Sequence, residues 1–296
     1  MKILNLGSMN LDLVYGVDHI VAPGETEASR SMNSYLGGKG MNQSVALAKA
    51  GAEVWQGGMI GEDGQPFLDA CGVYGIHAEY IRKIDGKSGH AIIQIDKNAQ
   101  NSILLFGGAN RRLTEEYVNE MLGQFGAEDL LLLQNEVNLM PYIVDRAQER
   151  GMTIVLNPSP FDGALREVDL NKIDLFILNE VEGEQITGVQ EPVDMIQAMR
   201  KKFPEAKIVL TLGEDGAIYA DQKELFVQTA FSVSAVDTTA AGDTFTGYFL
   251  AGLAEGMPVP EIMRMSAMAS AIAVTQSGAV PSIPWREEVE DALAKL

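Results

Sequence analysis

The spacing of hydrophobic residues changes several times along this chain of 296 residues, and each change predicts an element. Lys2 to Leu6 is a short apolar run, read as a strand ending at Gly7-Ser8. Leu11, Leu13 and Tyr15 alternate with polar or smaller residues, the period of a second strand. Ala22-Pro23-Gly24 marks a turn, and Ala28 to Leu36 reads as extended. After Gly37, Gly38 and Gly40, an Ala-rich helix is predicted from Met41 to Ala50, with Gly51 at the C′ position. Glu53 to Met59 and Gln65 to Tyr74 follow as strand and helix. Ser88 to Asp96 and Asn101 to Phe106 are apolar and β-branched, joined by Lys97-Asn98-Ala99-Gln100 as a hairpin.

From Thr114 the pattern becomes a regular alternation. Helix 114–123 leads to strand Asp129–Gln134, helix 139–150 and strand 152–156. Strand 173–178, helices 180–187 and 192–203, and strands 207–211 and Glu224–Val227 come next. Helices 242–254 and 259–275 and a short one from Trp285 complete the chain. Such alternation predicts an α/β protein with a mostly parallel sheet covered by helices. The segments near 11–17, 28–36 and 88–106 do not alternate with helices and are expected to form a separate small sheet. No repeat or linker breaks the chain, so 1–296 is read as one domain with those segments inserted.

Composition removes some classes of function. A formal charge of −19 disfavours nucleic acid and anionic membrane as partners. No apolar run approaches the length of a membrane span. Met1 to Gly7 reads as a strand and not as a signal peptide, and a cytoplasmic location is expected. The single Cys71 excludes an internal disulfide and suits a packing role in a reducing compartment. His19, His77 and His90 have no metal-ligand spacing, and Asn42-Gln43-Ser44 is read as a chance glycosylation sequon.

The chemistry concentrates in two stretches. In the first, Ala240, Ala241 and Gly242 precede Phe245, Phe249, Leu250 and Leu253, which recur at helical spacing. A helix start offers unpartnered N–H groups and the positive end of the dipole, and small residues let a phosphate approach them. Asp243 in that turn suits a base that takes a proton from an attacking hydroxyl, or an acid that stabilises the helix end. In the second, Gly37-Gly38-Lys39-Gly40 lets backbone lie against a ligand, without the spacing of a Walker P-loop.

Together these stretches carry a resemblance. Asp237-Thr238-Thr239-Ala240-Ala241-Gly242-Asp243-Thr244-Phe245 resembles the C-terminal signature of the ribokinase (PfkB) family of sugar kinases. Gly37-Gly38-Lys39-Gly40-Met41-Asn42-Gln43, followed by Gly57 to Gly64, resembles its upstream signature. The resemblance extends over essentially the whole chain. It implies a three-layer sandwich with a mostly parallel central sheet, a small β-sheet lid over the sugar, and a homodimer through that lid.

The resemblance also implies roles. Asp243 would be the catalytic base, and the amides of Ala240, Ala241 and Gly242 the anion hole. Asn10, Asp12, Gly38, Lys39, Asn42 and Glu136 would bind the sugar. Asn179, Thr211, Gly213, Gly216 and Gly242 would bind ATP, and Glu182 would hold Mg²⁺ through water. Asp237, Thr239, Ala273, Gln276, Gly278 and Ser282 would hold a monovalent cation such as K⁺. Ala267 stands where the family often has a larger polar residue near adenine.

The implied reaction is ATP-dependent phosphorylation of a sugar hydroxyl, with D-ribose at its 5-hydroxyl as the expected substrate. Polar Asn10 suits a sugar that keeps its 2-hydroxyl better than a deoxyribose. Deoxyribose, fructose or a nucleoside is the nearest alternative. A silent sugar-binding regulator would have no need of Asp243 and its intact anion-hole run. A nicotinamide-dependent oxidoreductase would need Gly-x-Gly-x-x-Gly after the first strand, which the sequence lacks.

Overall fold

A computed structural model describes residues 1–98 and 100–296. In chain order the first half forms β1 (Ile3–Leu6), β2 (Asn10–Gly16), β3 (Ser31–Gly37), α1 (Lys39–Lys49), β4 (Val54–Ile60) and α2 (Gln65–Tyr74). It continues with β5 (His77–Lys83), β6 (Gly89–Ile95), β7 (Asn101–Phe106), α3 (Glu115–Leu122), β8 (Leu130–Gln134) and α4 (Met140–Glu149). The second half forms β9 (Thr153–Asn157), β10 (Leu175–Asn179), α5 (Glu180–Thr187), α6 (Pro192–Lys202) and β11 (Lys207–Thr211). β12 (Ala217–Ala220), β13 (Leu225–Gln228), α7 (Ala241–Ala254), α8 (Val259–Ala273) and α9 (Arg286–Ala294) end the chain.

The larger sheet has the order β13-β12-β11-β10-β9-β8-β1-β4-β5. All pairs from β11 to β5 are parallel, and β12 and β13 add antiparallel strands at one edge. β8 shows why the sheet needs cover on both sides. Leu131 and Leu133 pack into one core with residues of α3, α4 and α6, while Leu130 and Leu132 pack into another with residues of α1, α7 and α8. Fully burying each leucine stabilises the fold by about 1.5–3 kcal/mol, so a two-sided strand reads as a continuous apolar run. The result is the expected three-layer sandwich.

A second sheet has the order β3-β2-β6-β7. β2 and β6 run parallel, and the two outer pairs are antiparallel. In its first rung Asn10 lies opposite both Gly37 and Gly89. The hairpin turn expected at 97–100 includes Ala99, which lies outside the described residues. On either side of it, the Asp96 amide donates to the Gln100 carbonyl at 3.0 Å.

Two strands differ from the expected pattern. β5 at the sheet edge mixes charged and apolar residues, and β12 is only four residues long, so neither carries a clear period. α1 starts at Lys39, two residues before the expected Met41. Gly38, at φ 87°, is its N-cap, and a Cβ there would lie 2.9 Å from the Asn10 nitrogen. The glycine turn therefore runs directly into the helix and puts Lys39 in its first turn.

α1 and α7 pack directly on one another. A Cβ at Gly247 would fall 2.3 Å from the Ala46 Cβ and 2.7 Å from the Leu47 nitrogen. The missing side chain lets the two helices approach, and the residues one turn earlier on each come into contact.

Candidate active site

Five neighbouring parallel strands present polar residues at their carboxyl ends. Asn157, Asn179 and Thr211 end β9, β10 and β11, while Ser8 and Glu136 follow β1 and β8. This is the edge where open α/β sheets bind ligands. A cleft of ≈ 200 Å³ opens there, lined by Lys39, Asn157, Asn179, Glu182, Thr211, Thr238 and the start of α7, including Ala240, Gly242 and Asp243.

Asp243 is buried in the first turn of α7, where its carboxylate receives two side-chain amides from α1. Asn42 Nδ2 donates to Oδ2 at 2.9 Å, and Gln43 Nε2 donates to Oδ1 at 2.8 Å. The preceding Ala240 is left-handed (φ 61°, ψ 8°) and caps the helix without a side-chain hydrogen bond. The Ala241 amide makes a long 3.3 Å bond to the Thr238 carbonyl. Among the described residues, the Ala240 and Gly242 amides have no protein partner. A Cβ at Gly242 would meet nothing within 4 Å, so only open space stands beside that backbone.

Lys39 links the cleft to the rim of the lid. Burial works to lower its pKa, but Asp243, Glu136 and Glu182 outweigh that effect and hold the ammonium above its ordinary value. Glu136 accepts the Ser8 hydroxyl and, at 3.2 Å, the Lys39 amide. Asp12 is pushed up to about 6 by burial and by nearby Glu136. Asn110 Nδ2 donates to Asn10 Oδ1 at 2.8 Å, while Asn110 Oδ1 accepts the Met9 amide at 3.0 Å. Asn10 is thereby turned so that its own NH₂ remains available to a ligand.

Asn179 and Glu182 close the start of α5 as a capping box. Asn179 Oδ1 accepts from Val181 and Glu182, and the Asn179 amide donates to Glu182 Oε2 at 2.9 Å. Glu182 is buried and lines the cleft, unlike a solvated helix acid. Thr211 faces the same cleft, while Gly213 and Gly216 form the turn into β12 and are not part of its lining.

In the loop before α7, Asp237 Oδ1 accepts the Thr239 amide and Oδ2 the Gly278 amide, each at 2.9 Å. Burial works to raise the Asp237 carboxyl, and these bonds outweigh it and hold the pKa below the usual range. Ser282 is buried and donates to the Ala279 carbonyl at 2.8 Å, and the Gln276 amide donates to the Ala273 carbonyl at 3.1 Å. The stretch after α8 is thus tied to the loop before α7.

A family model described as pfkB family carbohydrate kinase matches residues 1–286. The chain belongs to the pfkB family of carbohydrate kinases. It is 37% identical to a ribokinase of Haemophilus influenzae, over 97% of each chain. It is 32% identical to a deoxyribokinase of Salmonella typhi, over 99% of each. The structure of Arabidopsis thaliana ribokinase complexed with ribose and ATP superposes with a TM-score of 0.87 at 29% identity, covering 99% of this chain and 98% of that one.

Several residues of this pfkB kinase's site were not foreseen. Ser8 and Gln43 stand inside recognisable stretches, but only the fold shows that they hold Glu136 and Asp243. Asn110 lies in a single turn of 3₁₀ helix and Asn157 at a strand end, where asparagine is ordinary, so no local pattern marks them.

Proposed function

We propose that this carbohydrate kinase transfers the γ-phosphoryl group of ATP to the 5-hydroxyl of D-ribose. The observation that carries the reading is Asp243 in the first turn of a helix whose Ala240 and Gly242 amides have no protein partner among the described residues. The sugar hydroxyl gives its proton to Asp243 as its oxygen bonds to the γ-phosphorus. The bond from that phosphorus to the β–γ bridging oxygen breaks, and ADP leaves. The amides of residues 240–242 stabilise the charge on the transferring group. Lys39 supplies a positive charge in a chain that is otherwise strongly acidic. Asn10, Asp12, Gly38, Asn42 and Glu136 hold the sugar, and Asn179, Thr211, Gly213 and Gly216 hold the nucleotide.

Two ions belong to this reading. Glu182 fits a Mg²⁺ held through water, because one of its oxygens is committed to the capping box and the residue still lines the cleft. Mg²⁺ neutralises phosphate charge when bound. Asp237, Thr239, Ala273, Gln276, Gly278 and Ser282 fit a K⁺, since carbonyls and one ionised carboxylate suit a large, weakly hydrated ion. It would order the loop behind the anion hole.

The ribokinase relative and the ribose complex support ribose, while the deoxyribokinase relative keeps 2-deoxyribose as the rival. Asn10 favours ribose, since its available NH₂ suits a hydroxyl that deoxyribose lacks. ADP release across pentoses, hexoses and nucleosides tests the reading, with ribose expected to give the highest kcat/KM. A tenfold preference for any other acceptor would sink ribose and leave the kinase class standing.

A homodimer through the lid completes the proposal. Ile103, Leu104, Leu105 and Phe106 of β7 are all exposed, an apolar edge that a second copy would cover. Light scattering that returns the mass of one chain at tens of micromolar protein would remove the dimer.

A further inference from the structure

We propose that Gln43 is a positioning residue for Asp243, and that a one-way chain of buried amides decides which end of Gln43 faces the carboxylate. The inference rests on the reading of Asp243 as the base. Gln43, Gln134, Asn5, Ser44 and Gln56 are all fully buried between α1 and the sheet. The two ends of a side-chain amide have nearly the same shape but opposite polarity. Presented to a carboxylate, the NH₂ attracts and the C=O repels.

The polarity is set far from Asp243, by backbone carbonyls that only accept. Asn5 Nδ2 donates to the Gly40 carbonyl at 2.7 Å and to Ser44 Oγ at 2.9 Å, which turns Asn5 Oδ1 toward Gln134. Gln134 Nε2 donates to that oxygen at 2.9 Å and to Gln43 Oε1 at 2.6 Å. With its oxygen committed, Gln43 must present Nε2 to Asp243 Oδ1. Two side arms agree. Gln56 Nε2 donates to the Gly57 carbonyl at 2.7 Å, so its oxygen accepts the Ser44 hydroxyl at 2.6 Å. Asn157 Nδ2 donates to the Ile177 carbonyl at 2.7 Å, so its Oδ1 receives the second Gln43 hydrogen at 3.3 Å. Reversing any member would strand buried polar groups away from water.

This arrangement suits a base. Asn42 and Gln43 each fix one carboxylate oxygen with a donor that cannot itself take a proton. The carboxylate plane is held while its remaining lone pairs stay open to the cleft. Misplacing a reacting group by about 1 Å can cost about 10²-fold in rate. Gln43 therefore acts on turnover through Asp243, without binding either substrate.

The test compares Gln43→Met, Gln134→Glu and Asp243→Asn in the full-length enzyme, using ATP and the sugar that the acceptor panel ranks first. Gln43→Met keeps the shape and removes both amide ends. Gln134→Glu leaves Gln43 and Asp243 intact; once ionised it replaces the donor to Gln43 Oε1 by an acceptor and opposes the Gln43 orientation, whereas its protonated form still donates there. Gln43→Met is expected to lower kcat by about 10²-fold with both KM values within about threefold of wild type, and Gln134→Glu to lose kcat increasingly as pH rises and its carboxyl ionises. A merely structural role would lower the melting temperature and leave kcat per folded molecule unchanged. Near-normal kcat in a folded Gln43→Met variant overturns the proposal, as does a kcat of Gln134→Glu that follows the wild-type pH profile throughout. So does loss of the fold in both, which would make the chain a folding device. Asp243→Asn separates the two readings. If it stays active, the base assignment fails. If it is inactive while Gln43→Met is normal, only the positioning role fails.

Discussion

Asn42 Nδ2 sits 2.9 Å from Asp243 Oδ2 across 201 positions of sequence. Gly247, one turn after Asp243, makes that contact possible by letting α7 rest on Ala46 and Leu47 of α1. Packing between two helices thus sets the geometry of the candidate base.

One substitution at two glycines checks this. Gly247→Ala places a methyl group 2.3 Å from the Ala46 Cβ, and is expected to destabilise by about 1–3 kcal/mol and lower kcat. Gly72→Ala, inside α2 with nothing within 4 Å, is expected to stabilise by about 0.5–1 kcal/mol and leave kcat alone. Chemical denaturation of both variants, read beside turnover, settles it; equal effects would refute the close-packing account.

Asp12 makes a pH prediction. Its folded-state pKa of about 6 lies above the ordinary 3.8, so the unfolded chain releases this proton first as pH rises. Its contribution to stability is therefore full below 3.8, lost as pH climbs to about 6, and level above. Asp12→Asn should raise the melting temperature of the sugar-free protein at pH 7.5 and change it little near pH 3.5. A lower melting temperature at pH 7.5 would contradict the burial of a carboxylate there.

Glu182→Gln separates helix capping from metal binding. Glutamine can still accept the Asn179 amide, so stability should change by no more than about 0.5 kcal/mol. The Mg²⁺ concentration for half-maximal rate should rise by about tenfold. An unchanged Mg²⁺ titration would return Glu182 to a purely structural role.

The K⁺ assignment predicts that activity at constant ionic strength falls when K⁺ is replaced by tetramethylammonium. Asp237→Asn should abolish that difference, although it keeps an acceptor for only one of the Thr239 and Gly278 amides, so a thermal melt is read beside the rates. Identical rates in the two salts would count against the site.

The three-layer architecture was legible because two-sided strands such as Leu130–Gln134 are uninterrupted apolar runs. The candidate site was legible where chemistry and backbone demands coincide, as at Gly38 beside Lys39. It was silent where a residue acts through tertiary contact alone. Gln134 looks like the polar end of a strand, and nothing in its neighbours in sequence says that it meets Asn5 and Gln43. β5 escaped for a related reason: an edge strand needs only one partner and tolerates Glu79 and Arg82 within it.

Ala240 holds a left-handed backbone at φ 61° without being glycine. Such a conformation costs about 1–2 kcal/mol for a residue with a side chain. A glycine would remove that cost, but it would also widen the range of shapes open to the turn before α7. The alanine trades global stability for local order. With fewer shapes open to that turn, less ordering entropy would remain to be lost on binding an anion at the proposed site.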